Sequence, residues 1–186
     1  MSEYIQFLVG LSSPSPPSLP EVITRLRDAS ALFCSGWLRQ DFGQAQRASR
    51  QAMEAFDHIC NAFLRGRDDA IAHQIYTGPL KQFMATKFGK LASSVTKAEQ
   101  EANAAKQTTL GNACLPARFA APPGASFDVA LNKVKHRTDK YSNFRVTGGR
   151  HILIVAGDLR GRPDYLFEFD VIEFCDLCDL GCPLIT

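Results

Sequence analysis

The sequence contains no hydrophobic run long enough to cross a bilayer, for which about 20 consecutive apolar residues are needed. Its first apolar stretch, residues 5–11, is short, and Glu3 precedes it where a secretory signal carries Lys or Arg. The chain therefore lacks both the pattern of a membrane protein and that of a secreted one. We expect a cytoplasmic protein with no membrane partner.

The sequence also lacks net charge and compositional bias. Its 21 Lys and Arg residues nearly balance its 19 Asp and Glu residues, which leaves +2, and 45% of the residues are hydrophobic. These values exclude a wholly disordered chain and a collagen-like repeat. The average charge gives no argument for a nucleic-acid partner. A chain of 186 residues has a usual length for one compact domain.

The first 20 residues are predicted to be a flexible lead-in. Residues 12–20 contain four prolines and four serines, and proline removes backbone donors and stiffens the chain. Residues 21–186 are predicted to form a single domain. We divide it into a helical bundle over 21–137, a β meander over 142–175 and a cysteine-rich tail over 175–186.

Apolar residues recur at steps of three and four through most of the first 137 residues, which is the spacing of one helical face. This spacing predicts helices over 21–42, 44–64 and 68–76, and a long helix from residue 80 to about 105. A last short helix is predicted over 126–137, with Ser126 as its N-cap. The short link between the first two helices makes them antiparallel neighbours.

Beyond residue 142 the hydrophobic period changes to two, which indicates strands over 143–147, 150–156 and 165–174. Gly148-Gly149 predicts a hairpin between the first two strands. Glu168 and Asp170 alternate with apolar residues in the last strand, so we expect their face to be wet. The predicted fold is mainly α, an antiparallel helical bundle with a C-terminal antiparallel three-stranded β meander.

Positive charge is concentrated in residues 130–150, called here the cationic segment, which carries six basic residues against Asp139. Asn132 and His136 are four residues apart and share one face of the predicted helix. A histidine among cations is kept neutral, which suits a general base, and the basic residues would bind phosphate. The candidate phosphate-binding residues are Lys133, Lys135, Arg137, Lys140, Arg145 and Arg150. The alternative is a solvated cationic helix end that favours the helix dipole.

A helical bundle that ends in an Asn-x-x-x-His helix resembles the HEPN superfamily, bacterial helical bundles found among toxins and phage-defence proteins. Asn132 and His136 match the polar residue and the histidine of its motif, and Leu131 stands where the family has arginine. The resemblance implies a homodimer that cuts RNA without a metal. His136 would then activate the ribose hydroxyl, Asn132 would orient it or the phosphate, and the neighbouring cations would hold the phosphate.

Cysteines and acidic residues mark the end of the sequence. Cys175 and Cys178 form a Cys-x-x-Cys pair and Cys182 follows, so the three are candidate zinc ligands, although no fourth ligand is fixed by the spacing. A redox pair and free thiols are the alternatives. Residues 151–186 hold seven acids against two arginines, a net charge of −5.

Two functions follow from these patterns. The first is a HEPN-like module that binds RNA or a nucleotide and cleaves RNA if it is catalytic, with no cofactor required. The second is a non-catalytic protein-interaction domain that uses its acidic, cysteine-rich C-terminus, with or without zinc.

Overall fold

The computed structural model describes residues 17–105, 113–159 and 162–185. The helices are α1 (Leu19–Leu38), α2 (Phe42–Ala72), α3 (Gly78–Met84), α4 (Lys97–Ala105), α5 (Phe127–Lys135) and α6 (Val171–Gly181). The strands are β1 (Lys87–Phe88), β2 (Lys90–Ser93), β3 (Ala125–Ser126), β4 (Thr138–Thr147), β5 (Arg150–Leu159) and β6 (Arg162–Asp170). Most of the predicted lead-in, residues 1–16, lies outside the described residues.

Helices α1 and α2 form the pair of packed neighbours that the short link between them predicts. Asp41 ends the turn between them, and its side chain accepts a hydrogen bond from the backbone of Gln44 (2.9 Å), which caps α2. Their facing residues, among them Leu26, Phe56 and Ile59, are fully buried. This pair supplies one wall of the main hydrophobic core.

The predicted break between helices at residues 65–69 is wrong, because α2 continues through it to Ala72. Arg67 lies inside α2 and forms ion pairs with Asp68 (2.6 Å) and with Asp128 of α5. Helix α5 packs on this extended part of α2, and its predicted N-cap is confirmed, since the Ser126 side chain accepts from the Val129 backbone (3.3 Å).

The predicted long helix from residue 80 is also wrong. The chain forms α3, two short strands and α4 in its place. Gly89 has a φ of +59° and Ser94 one of +57°, a left-handed backbone that a helix does not tolerate. Leu91 pairs with Phe167 of β6, so this segment forms an edge strand of the main sheet.

The main sheet has four antiparallel strands in the order β2-β6-β5-β4. A mainly α chain with an antiparallel sheet is thus confirmed, whereas a continuous helical bundle and a three-stranded meander are not. The last predicted strand is too long, because β6 ends at Asp170. The Asp170 side chain accepts from the backbone of Ile172 (2.7 Å) and Glu173 (3.3 Å) and so begins α6.

Both faces of the main sheet are covered. One packs on α1, α2 and α5 through Leu153, Phe167 and Phe169. The other face, predicted to be wet, buries Glu168 and Asp170 instead. Gln100 of α4 lies on that face and donates hydrogen bonds to the carbonyls of Gly157 and Tyr165 (both 3.0 Å). Within the described ranges, no helix combines the length and hydrophobicity needed to span a membrane.

Candidate ligand-binding cleft

Asn132 and His136 lie at the C-terminal end of α5, as predicted. His136 is exposed, and its backbone N–H donates to the carbonyl of Asn132 (3.0 Å), which closes the helix. The Asn132 side chain donates to the carbonyl of Asp128 (2.8 Å), one turn back along the helix. The amide of Asn132 is therefore directed along its own helix and does not hold the imidazole in place.

The three arginines of the cationic segment are paired with carboxylates. Arg137 contacts Asp57 (2.8 Å), and Arg145 contacts Glu168 (3.1 Å). Arg150 contacts Asp170 at 2.5 Å and also pairs with Glu173. These pairs neutralise much of the positive charge of the segment. The Arg137 pair connects the end of α5 to α2, the Arg145 pair connects β4 to β6, and the Arg150 pairs connect β5 to β6 and α6.

The lysines of the cationic segment lie nearer the surface. The Lys133 ammonium stands 3.7 Å from the centre of the Tyr165 ring, and that of Lys140 stands 4.9 Å from the Tyr141 ring. Lys135 and Lys140 are both exposed. Of the predicted phosphate-binding residues, these two present the most accessible charge.

The candidate zinc ligands Cys175, Cys178 and Cys182 are buried on one face of α6 and the turn after it. Burial raises the pKa of the Cys175 thiol to about 12 and that of Cys178 well above its ordinary value. Cys60 of α2 lies close enough to raise the pKa of Cys178 further. No group of three His, Cys, Asp or Glu side chains in the described part of the chain is arranged to hold a metal ion. The zinc site stays a prediction.

The acidic residues at the C-terminus are partly used within the fold. Arg27 of α1 pairs with Asp176 (2.7 Å) and Asp179 (2.5 Å) of α6. These pairs attach α6 to α1 and neutralise two acids of the surface that the protein-interaction hypothesis requires, while both carboxylate side chains stay exposed.

A cleft of about 510 Å³ separates α2 from β4. Its walls are largely apolar, and three elements build them: α1, α2 and the β4–β5 hairpin. The lining residues are Phe33, Ser49, Arg50, Ala52, Met53, Glu54, Asp139, Ser142, Asn143, Phe144, His151 and Leu153. A mainly apolar cleft of this size with a few polar groups is the usual form of a small-ligand site.

His151 lies in the wall of this cleft and is 5% exposed. Its ring stacks on Phe33, with the ring centres 4.4 Å apart, and its Nδ1 atom is 3.2 Å from the Ser30 hydroxyl. Burial lowers the pKa of His151 to about 4, so the imidazole is neutral at pH 7. A neutral ring fixed on one side by stacking and at Nδ1 by Ser30 can offer Nε2 to a ligand.

Three exposed charged side chains stand at the rim of the cleft: Arg50 and Glu54 of α2, and Asp139 of β4. None of them makes a hydrogen bond or an ion pair with another residue in the described ranges. They differ in this respect from the arginines of the cationic segment. Charged groups without a partner beside an apolar cleft are available to a ligand.

A bulge in β4 brings Asp139 to the rim. Thr138 pairs with Ala156 and Asn143 with Ile154, so four residues of β4 oppose the single residue Val155. The Ser142 hydroxyl fills the gap in the ladder, since it donates to the carbonyl of Thr138 (2.7 Å) and accepts from the backbone of Ala156 (3.1 Å). Asp139 is thereby released from strand pairing.

Two other clefts of similar size, about 500 and 440 Å³, open on the outer faces of α1–α2 and of α2–α3. The histidines that line them, His58 and His73, are exposed. The α2–β4 cleft differs because it contains a titratable group that is buried, and such groups with shifted pKa values concentrate at functional sites.

No protein-family model, curated protein or solved structure matches the chain. The resemblance to the HEPN superfamily therefore stays a prediction. In the sequence, Arg50 and Glu54 lie on the polar face of the second predicted helix, and His151 lies near the start of the second predicted strand. The i,i+4 spacing of Arg50 and Glu54 was the one signal that they share a side of α2.

Proposed function

We propose that the chain binds RNA or a nucleotide, with a base in the α2–β4 cleft and phosphate at the cations beside it. The observation that carries the proposal is the neutral, buried His151 in an apolar cleft whose rim holds three charged side chains without partners. A base is flat and largely apolar on its faces, and its edge offers donors and acceptors to a few polar groups.

Arg50 is the accessible cation at the rim of this cleft, on α2. Lys135 and Lys140 are exposed cations that lie close to Asp139 in sequence. Phosphate bound there would exchange counterions for protein charge, so binding would weaken as salt is raised. Arg145 and Arg150 have no such role in the proposal, because their partners Glu168 and Asp170 are buried and hold them.

Binding and cleavage are separate parts of this function. The cleft does not include His136 or Asn132 among its lining residues. The HEPN-like hypothesis proposes in addition a homodimer in which His136 acts as a base on RNA. This cleavage would not require the residues that line the cleft. We therefore propose binding as the primary activity and keep cleavage at His136 as its extension.

A second candidate function is protein interaction, favoured by an apolar surface at the α1–α2 turn. Leu38 is 66% exposed and Phe42 58% exposed, and the ring of Phe42 packs on Trp37 with centres 5.4 Å apart. Strand β4 is the edge strand of the main sheet next to this group, since the ring of its Phe144 lies 4.7 Å from that of Trp37. Self-association of the wild type in light scattering that is lost in a Leu38→Ser, Phe42→Ser double variant, while ligand binding survives, would support this function.

Trp37 is the only tryptophan and provides the test of binding. Its ring centre is 4.7 Å from that of Phe144, which lines the cleft, so a bound base should change its fluorescence. We expect a saturable change with ribonucleoside monophosphates or short RNA. Arg50→Gln should weaken binding about tenfold, the effect of one lost charged contact. The matched control is Arg47→Gln, one turn earlier on α2 and outside the cleft, with less than a twofold effect. A flat titration with every nucleotide and with RNA would refute the proposal.

A further inference from the structure

The rim of the cleft carries two carboxylates on opposite sides, Glu54 on α2 and Asp139 on β4. Neither has a partner among the described residues. An ionised carboxylate only accepts hydrogen bonds, so each of these groups selects a ligand edge that donates. Two acceptors beside a neutral imidazole form a pattern that the four bases match to different degrees.

From this pattern we infer that the cleft recognises guanine. The inference rests on the proposed function and narrows its ligand to guanine nucleotides, free or within RNA. Guanine presents two adjacent N–H donors at N1 and N2, which suit one carboxylate, and a carbonyl acceptor at O6 beside them. Adenine presents an acceptor at N1, which a carboxylate repels, and uracil presents a single donor between two carbonyls. Cytosine offers one donor next to an acceptor.

His151 supplies the complementary donor. When the Ser30 hydroxyl donates to Nδ1, across the 3.2 Å that separate them, the ring carries its proton on Nε2. Nε2–H then donates to O6 of guanine, whereas the amino group that adenine carries at that position is a donor and would be rejected. A site whose buried polar group is left without a partner by the wrong ligand discriminates strongly against it.

Asp139 is the residue on which this selectivity can be tested without disturbing the fold. It is exposed, it lies in the bulge outside the paired part of β4, and no ion pair depends on it in the described part of the chain. Arg50 stands at the same rim and offers a charge to the phosphate, which keeps the carboxylates from repelling the nucleotide as a whole.

The experiment compares GMP, IMP, AMP and CMP by Trp37 fluorescence at pH 7, with the RNA pentamers AAGAA and AAAAA as a second arm. We expect GMP to bind at least tenfold more tightly than AMP, with IMP between them because it keeps O6 and N1–H and lacks the N2 donors. Asp139→Asn should reduce GMP affinity about tenfold and change AMP affinity less than twofold. Asp69→Asn, an exposed acid at the end of α2 outside this cleft, should change neither.

The outcomes separate the inference from the function on which it rests. If AMP and GMP bind equally, guanine recognition is refuted and nucleotide binding stands. If no nucleotide and no RNA binds, both are refuted. If AAGAA binds tightly and GMP does not, the source of the guanine is RNA; the reverse result makes it the free nucleotide, and both results support the inference. Urea unfolding of Asp139→Asn that matches the wild type excludes a folding defect.

Discussion

Arg145 on β4 and Glu168 on β6 form a two-pronged ion pair that passes over the strand between them. Both nitrogen–oxygen distances are 3.1 Å, and Glu168 is 7% exposed. Burial opposes ionisation of Glu168, but Arg145 and Lys90 outweigh it and lower the pKa of the carboxyl below its ordinary value. Arg145, a candidate phosphate ligand by sequence, thus serves to neutralise a buried charge within the sheet.

Arg145→Met should therefore lower the free energy of unfolding by about 3 kcal/mol, since it leaves a buried carboxylate with only the partly exposed Lys90 as a partner. The double variant Arg145→Met, Glu168→Leu should recover most of the loss, because it removes both charges. Urea unfolding measures both values. Lys140→Met, an exposed control in the same strand, should cost less than about 0.5 kcal/mol. A loss below about 1 kcal/mol in the single variant would contradict this account.

His151 makes stability depend on pH. Burial lowers its folded-state pKa to about 4, below the ordinary 6.5, so the unfolded chain binds more protons between these values. The free energy of unfolding should be unaffected by His151 above pH 6.5 and fall as pH is lowered toward 4, by roughly 3 kcal/mol. Urea unfolding from pH 4 to 7.5 measures it. His151→Gln should flatten the slope, and the exposed control His58→Gln should keep it; an unchanged slope in His151→Gln would refute the assignment.

The cysteines should differ sharply in reactivity. The thiolate is the nucleophile, and burial raises the pKa of Cys60 and of Cys175 to about 12, whereas Cys114 is exposed. A disulfide reagent should label Cys114 first and reach Cys60, Cys175 and Cys178 only on unfolding, as peptide mapping would show. Cys114→Ser should remove the fast phase. Rapid labelling of Cys178 in the native protein would contradict the packing described.

The zinc prediction is tested directly by elemental analysis of the purified protein. One zinc per chain, lost together with stability in Cys175→Ser, would establish a site at Cys175, Cys178 and Cys182. If the protein is purified in a buffer that contains zinc and still carries none, the three thiols are core residues, as their burial indicates.

His136→Ala separates cleavage from binding. His136 is exposed at the end of α5 and outside the cleft, so the change should alter stability by less than about 0.5 kcal/mol and leave the Trp37 titration unchanged. If the wild type cleaves RNA in the presence of EDTA, this variant should not. Cleavage that survives the substitution would remove His136 from the mechanism, and a lost Trp37 response would place it in the binding site.

The spacing of apolar residues was sufficient to predict the secondary structure of elements with one buried face. It failed where the same residues fit both the helical period and the strand period. Val22, Leu26 and Phe33 predict α1, although that helix ends at Leu38 and not at residue 42, and Ser126 predicts the start of α5. Leu80, Met84, Phe88, Leu91 and Val95 fit a helical face as well. Only Gly89, whose left-handed φ turns the chain between β1 and β2, marks the change, and a lone glycine is a weak signal.

The cleft could not be predicted from sequence, because its residues come from separate segments that only the tertiary fold brings together. Phe33 lies in α1, Met53 in α2, Asp139 at the start of β4 and His151 in β5. The cationic segment misled for a related reason. The net charge of a short segment does not show whether its arginines are paired with distant carboxylates. Arg137 pairs with Asp57, 80 residues away, and Arg145 pairs with Glu168, 23 residues away.

The bulge in β4 divides that strand into a part that holds the sheet together and a part that is free to vary. Register is fixed by the pairs from Asn143 to Thr147, and the Ser142 hydroxyl restores the ladder at the gap. The exposed position 139 can therefore accept other side chains without a change in the register of the sheet. If Asp139 selects the ligand as we propose, a change at this single position would exchange one ligand preference for another without touching the pairs that fix the register of the strand.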